Sequence, residues 1–172
     1  NNNFNNILEV PPTLKTFSLN QSIFNQPLYL QDTQITKLDI HYFNNILEVP
    51  PTLETIEIQP NSHFNQPLRL KDTKIDTLTL NYMYNNILEL PSTLKTLNVS
   101  SSYATPLDLT NTLITKFITP YEFNNRINLP NNITHLTFSY KFNKPVNNLP
   151  STITHLTFGE NFNQPVNNLP SS

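Results

Sequence analysis

Leu53-Glu54-Thr55-Ile56-Glu57-Ile58, set between Phe43-Asn44-Asn45 and Phe64-Asn65-Gln66, decides how the chain is read. Its apolar residues follow an L-x-x-L-x-L spacing and finish in strict alternation, so a short extended segment has one apolar and one polar side. Thr and β-branched Ile suit such a strand. The spacing recurs upstream at Leu14/Phe17/Leu19 and Ile35/Leu38/Ile40. Downstream it returns at Ile75/Leu78/Leu80, Leu94/Leu97/Val99, Ile114/Phe117, Ile133/Leu136/Phe138 and Ile153/Leu156/Phe158, eight copies in all.

Between the copies an aromatic followed by a mostly polar pair appears at Phe4, Phe24, Phe43, Phe64, Tyr84, Tyr103, Phe123, Phe142 and Phe162, at intervals of 19 to 21 residues. A strand of this size cannot bury itself, and a unit of about 20 residues makes one coil of a solenoid whose neighbours supply the missing contacts. The expectation is a mainly β, single-stack, leucine-rich-repeat-like solenoid with one short parallel strand per coil. Residues 1–172 then form a single array of eight to nine coils. Because Leu169-Pro170-Ser171-Ser172 stops where another strand is due, the array is expected to be a fragment of a longer chain or to be capped by a partner.

The return half of each coil has too few residues for a long helix. Pro11, Pro50, Pro91, Pro130, Pro150 and Pro170 recur at one site, and Pro27, Pro67, Pro106, Pro145 and Pro165 at another. Proline fixes φ and removes a donor, so these segments read as turns or extended edges. Two coil types alternate in the first two thirds: Phe-Asn-Asn-Ile-Leu-Glu at Phe4 and Phe43, echoed at Tyr84, and Phe-Asn-Gln-Pro-Leu at Phe24 and Phe64, echoed at Tyr103. The duplicated unit there reads as a pair of coils.

Composition narrows the function. Charged residues make up 13% of the chain while Asn alone numbers 28, so the polar surface is built of neutral amides and hydroxyls. A net charge of -2 gives no dense basic footprint, which argues against nucleic-acid and anionic-membrane partners. No apolar run approaches bilayer length, and Asn1-Asn2-Asn3 is no secretion signal. Without Cys there are no disulfides, thiolate metal sites or thiol nucleophiles, which is compatible with a reducing interior. One Gly excludes a phosphate-cradling loop, and no nucleophile-elbow motif is present. Glu9, Glu48 and Glu89 recur because their unit was copied, not as a catalytic pair. The glycosylation-type triplets at Asn20, Asn98 and Asn132 are chance products of this composition.

The strings Phe142-Asn143-Lys144-Pro145-Val146-Asn147-Asn148-Leu149-Pro150, Ile153-Thr154-His155-Leu156-Thr157-Phe158 and Phe162-Asn163-Gln164-Pro165-Val166 closely resemble the FNIP repeat family. That resemblance implies a leucine-rich-repeat-like array of the kind expanded in social amoebae and in giant viruses of amoebae, where arrays often accompany an F-box or another signalling segment. An intracellular or virion setting goes with it. The pattern departs at Tyr103-Ala104 and at Ile114-x-x-Phe117-x-Thr119, which puts regular packing in doubt at that coil. No F-box-like helical segment lies within these residues.

The Asn after each aromatic, Asn5, Asn25, Asn44, Asn65, Asn85, Asn124, Asn143 and Asn163, is expected to form a ladder that satisfies backbone groups at the bend of the coil. Period-two alternation places a candidate protein-binding face on the outward strand positions. Its non-generic members are Lys37, Asp39, His41, Glu57, Lys116, His135 and His155, while positions such as Asn81 and Pro120 fall on the same side. Lys37, Asp39, His41 and Glu57 suit either a charged partner or mutual pairing. His135 and His155 are due within about 5 Å of each other on adjacent strands, but the flanking Thr residues are poor metal ligands. No cofactor is implied. The leading expectation is a non-catalytic protein-interaction scaffold. The alternatives are a structural protein assembling into a filament or viral surface layer, and the substrate-receptor part of an F-box ubiquitin ligase.

Overall fold

The computed structural model describes residues 8–20, 24–166 and 169. The chain winds as a β-solenoid whose fourteen strands, counted among the described residues, are numbered in chain order. Eight of them line the front: β1 (Thr16–Leu19), β3 (Lys37–Ile40), β5 (Thr55–Ile58), β7 (Thr77–Thr79), β9 (Thr96–Asn98), β11 (Lys116–Ile118), β13 (His135–Thr137) and β14 (His155–Thr157). Neighbours are parallel and in register, so Leu38 lies beside Phe17 and Ile56, and Leu136 beside Phe117 and Leu156.

Turn chemistry explains how each coil enters its front strand. In the Asn-Asn-type coils a proline carbonyl accepts from the amide three residues on, as Pro50 does from Leu53 at 3.1 Å and Pro91 from Leu94 at 3.2 Å. In the Asn-Gln-type coils Thr takes over: Thr33 and Thr73 each donate through Oγ1, at 2.7 Å, to the carbonyls of Leu30 and Leu70. These hydroxyls are buried, and the bond satisfies them.

A second set of strands lies opposite the front sheet, where one strand per coil was expected. These are two-residue pieces: β2 (Leu28–Tyr29), β4 (Leu47–Glu48), β6 (Leu68–Arg69), β8 (Leu88–Glu89), β10 (Leu107–Asp108) and β12 (Ile127–Asn128). They pair only in twos, β2 with β4, β6 with β8 and β10 with β12. Each doublet joins an Asn-Gln-type coil to the Asn-Asn-type coil that follows it, or to the coils that echo those types. The two-coil unit visible in the sequence is thus also a hydrogen-bonding unit.

Leucine and isoleucine side chains fill the interior, with Leu30, Ile35, Leu53, Leu70, Ile75, Leu94, Leu109 and Ile114 fully enclosed. One corner is an aromatic column. Phe24, Phe43, Phe64, Tyr84 and Tyr103 stack ring on ring at 6.1 to 6.4 Å with nearly parallel planes. Burying each ring contributes roughly 1.5–3 kcal/mol. Tyr84 and Tyr103 keep their hydroxyls hydrogen-bonded, Tyr84 donating to the Ile87 carbonyl at 2.8 Å and accepting from the Leu68 amide at 3.2 Å. Burial pushes the Tyr103 phenol up to about 12 and the Tyr84 phenol higher still.

The front strands do not form the single eight-stranded sheet that the period predicts. They form a sheet of five, β1-β3-β5-β7-β9, and a sheet of three, β11-β13-β14. The interruption falls at the coil where the repeat pattern departs. Pro120 occupies the place from which Gln59, in a regular coil, donates its amide to Ile40 at 3.0 Å, and proline has no such donor. Thr119 stands where other coils carry an aliphatic or aromatic core residue. It is buried and turns its hydroxyl to the next coil, accepting from the Ser139 amide at 2.8 Å.

Candidate interaction surface

The corner next to the aromatic column carries a ladder of side-chain amides. Asn25 Oδ1 accepts from the Asn44 amide at 2.9 Å, Asn44 from Asn65 at 2.9 Å, Asn65 from Asn85 at 2.8 Å and Asn85 from the Ala104 amide at 2.9 Å. After a gap it resumes from Asn124 to Asn143 and from Asn143 to Asn163, each at 2.9 Å. Asn5 lies outside the described residues. These side chains are exposed or half-buried, not enclosed beside the rings. The ladder stops at Ala104 because a methyl group offers no acceptor. The ring column stops at the same place, with no ring pair between Tyr103 and Phe123, and resumes from Phe123 to Phe142 at 6.3 Å.

On the front sheet the first charged group is paired within itself. Lys37 Nζ lies 2.8 Å from Glu57 Oε1, and this hydrogen bond, reinforced by the carboxylate charge, raises the lysine above its ordinary value. Asp39 is a hub that accepts from Ser18 at 3.4 Å and Gln59 at 3.1 Å and meets His41 Nε2 at 3.3 Å. Of the two sequence readings of this cluster, mutual pairing is the arrangement present, and the paired groups remain accessible on the face.

The second group lies across β11, β13 and β14, where Lys116, His135 and His155 share one register line. The two imidazoles stack at 4.1 Å with planes 6° apart. Thr134 Oγ1 lies 3.0 Å from the Thr115 carbonyl and 2.9 Å from His135 Nδ1, bridging the preceding coil and the imidazole. The same pattern recurs at Thr154 and His155. Loss of hydration, then His155 and Lys116, lowers His135 below its ordinary value. Among the described residues no three His, Asp or Glu side chains gather as a metal set.

Two of the positions placed on this face by alternation are enclosed. Asn81 is buried, donating to the Phe64 carbonyl at 2.9 Å and accepting from the Met83 amide at 2.8 Å, because it closes the turn into the aromatic corner. Pro120 is buried at the sheet interruption.

That interruption is also a cleft of about 590 Å³, with Leu97, Val99 and Phe117 among its walls, Lys95 and Lys116 at one end and Ile118 and Tyr121 at the other. The strands β9 and β11 stand mostly beyond 8 Å from each other, where regular neighbours lie about 4.8 Å apart. Thr96 and Asn98 direct their backbone groups to β7, and Thr115 and Thr119 direct theirs to β13. By alternation the amides and carbonyls of Leu97, Lys116 and Ile118 face the cleft. Ile118 is 67% exposed, and Tyr121 stacks on Tyr140 at 5.0 Å beside it. Sequence reasoning found neither the cleft nor this apolar lip, although Ala104, Thr119 and Pro120 were the signals.

Comparison with known proteins agrees with this architecture. The family model described as FNIP Repeat matches residues 145–172. No curated protein matches the chain. Among solved structures the chain is similar to CroV588, from a giant virus, whose crystal structure is described as a novel circular LRR protein structure. The match has a TM-score of 0.54 and 25% identity, and it covers 98% of this chain but 31% of that one. The molecule is a leucine-rich-repeat-like β-solenoid whose last coils match the FNIP repeat.

Proposed function

We propose that this array is a non-catalytic protein-interaction scaffold whose front sheet meets a protein partner. The observation that supports it is the register of the front strands. Within each of the two front sheets successive coils hold their outward side chains in rows at strand spacing, so each coil presents independently variable positions. Lys37, Asp39, His41 and Glu57 form the charged patch of that surface, and Lys116, His135 and His155 the basic and imidazole patch. Replacing Lys37, Asp39 and Glu57 together with Ala is expected to weaken partner capture while leaving thermal unfolding little changed. Unaltered capture by the triple variant would move the site away from these residues.

A second reading is structural, and it draws on the likeness to a protein described as circular, of which this chain spans 31%. Repeat coils then act as arcs of a larger closed or extended object. Light scattering across a range of concentrations separates the two. Discrete, concentration-independent particles favour the scaffold, and growth into regular assemblies favours the structural reading.

A further inference from the structure

We propose that the row formed by Lys116, His135 and His155 seats an acidic segment of a partner protein, and that this seat tightens its hold as pH falls through the imidazole range. The inference deepens the scaffold reading and rests on it. The two front sheets differ in how their outward charges are balanced. On the first, Lys37 is closed by Glu57 at 2.8 Å and His41 meets Asp39 at 3.3 Å, so opposite charges answer one another within the sheet. On the second, β11, β13 and β14 carry Lys116, Ile118, His135, Thr137, His155 and Thr157 outward, without one carboxylate. Lys116 forms no ion pair with any described residue. Asp76 is taken by Lys95 at 3.5 Å and Glu122 by Lys141 at 2.6 Å, so neither supplies the missing charge.

Register sets Lys116, His135 and His155 on one line, roughly 9.6 Å from first to last at two strand spacings. The imidazoles stand face to face at 4.1 Å, so a proton on one disfavours a proton on the other. The charged or titratable groups facing His135 are Lys116 from β11 and His155 from β14, while its own strand adds the Thr134 hydroxyl at 2.9 Å. Together with lost hydration, those two hold His135 below its ordinary value. A carboxylate laid over the row answers Lys116 and offsets the repulsion that keeps the imidazoles neutral, so binding takes up protons. An acidic protein segment fits better than a phosphate polymer. The row is short, the chain carries a net charge of -2, and a polyphosphate backbone needs a longer basic footprint. Ile118, 67% exposed and two residues from Lys116 on the same side of β11, offers an apolar contact to a side chain beside the acid.

The probe is a rhodamine-labelled peptide, Glu-Glu-Leu-Glu-Glu, titrated into the chain and read by anisotropy. Its glutamates, with a pKa of about 4.3, stay largely ionised at about pH 5.5. Dissociation at or below about 1 mM is expected there, and binding about fivefold weaker at about pH 7.5. Lys116→Glu should weaken binding at least about tenfold at either pH. His135→Gln with His155→Gln should flatten the pH dependence. All three side chains point outward, so thermal melting of these variants should match the native chain at neutral pH. Proton resonances of the imidazoles supply a readout on the native chain: the titration midpoint of His135 should rise when the peptide is present. Absence of binding up to about 1 mM, affinity indifferent to pH or to Lys116→Glu, or an unmoved His135 midpoint would each overturn the proposal. So would a deoxythymidine oligonucleotide of equal charge that binds more tightly than the peptide, or self-association that Lys116→Glu abolishes, since these assign the row to a nucleic acid or to a second copy. The broader scaffold reading fails separately, through the triple substitution at Lys37, Asp39 and Glu57, because those residues lie on the other front sheet.

Discussion

The coils up to Tyr103 and the coils from Phe123 onward hold themselves together in different ways. In β1, β3, β5, β7 and β9 the third core position is aliphatic, at Leu19, Ile40, Ile58, Leu80 and Val99, and the rings of Phe43, Phe64 and Tyr84 stack on rings of the same column. In the second block Phe138 and Phe158 take that position. Phe138 stacks on Phe142 at 4.0 Å and Phe158 on Phe162 at 4.1 Å, so two ring columns merge into one. Strand ladder, amide ladder and ring column each cross almost every junction, and they fail at different faces of a single coil. The coil of Tyr103 holds its predecessor through the Asn85 amide and the Tyr84 ring, and its successor through β10-β12 and β11-β13. Three ladders let the stack tolerate a coil that lacks the front strand pairing on one side and both the amide ladder and the ring column on the other.

The largest expected effect comes from the merged column. Phe142→Ala removes a ring that touches Phe123, Phe138 and Phe162 and should cost about 3–5 kcal/mol of unfolding free energy. Tyr103→Ala removes a ring with a single ring neighbour, so it should cost less by about 1 kcal/mol or more, measured by denaturant titration of both variants. Equal losses would sink the distinction between the blocks. Ala104→Asn should go the other way and stabilise by about 0.5–1.5 kcal/mol, because it gives the Asn124 amide the acceptor that its equivalents have. No gain in midpoint would show that the amide ladder is passive.

Two smaller effects concern the faces. His135 has its proton affinity lowered in the folded chain from the ordinary 6.5, so the unfolded chain binds the proton more readily. Its contribution to stability is present above pH 6.5 and declines as pH falls below it. A melting series from neutral to acid pH should therefore fall more steeply for the native chain than for His135→Gln. Lys37→Ala should be the mildest change. Its partner Glu57 is also largely solvated, and the melting temperature should stay within measurement error.

Much of this fold was legible in the sequence because each coil repeats one unambiguous pattern. The alternation at Leu53-x-x-Ile56-x-Ile58 located the front strand, and the aromatic period located the corner. The back strands escaped because Leu28-Tyr29 or Leu68-Arg69 is too short to show a period at all. The division of the front sheet was visible only as irregularity. Thr119 and Pro120 announce that something is missing, but whether a coil closes over the loss or opens depends on contacts with both neighbours. The face residues were legible as positions and less so as chemistry. Sequence placed Lys37 and Glu57 on adjoining strands with mutual pairing as one of two readings, and His135 near His155, but it decided neither the pairing nor the stacking of the rings. Asn81 shows the limit of alternation, since a turn beginning at the strand end draws an outward position inside.

The pairwise joining of back strands sets a rule for how such an array changes length. In the first block, deleting one coil would bring two of a kind together and strand a back segment whose hydrogen-bonding mate has gone. Removal or gain of two neighbouring coils leaves every doublet intact. Beyond Phe142 the described coils have no back strands, and single coils are interchangeable there. The molecule thus combines a portion that grows by twos with a portion that grows by ones, and insertions or deletions among natural variants should keep that parity.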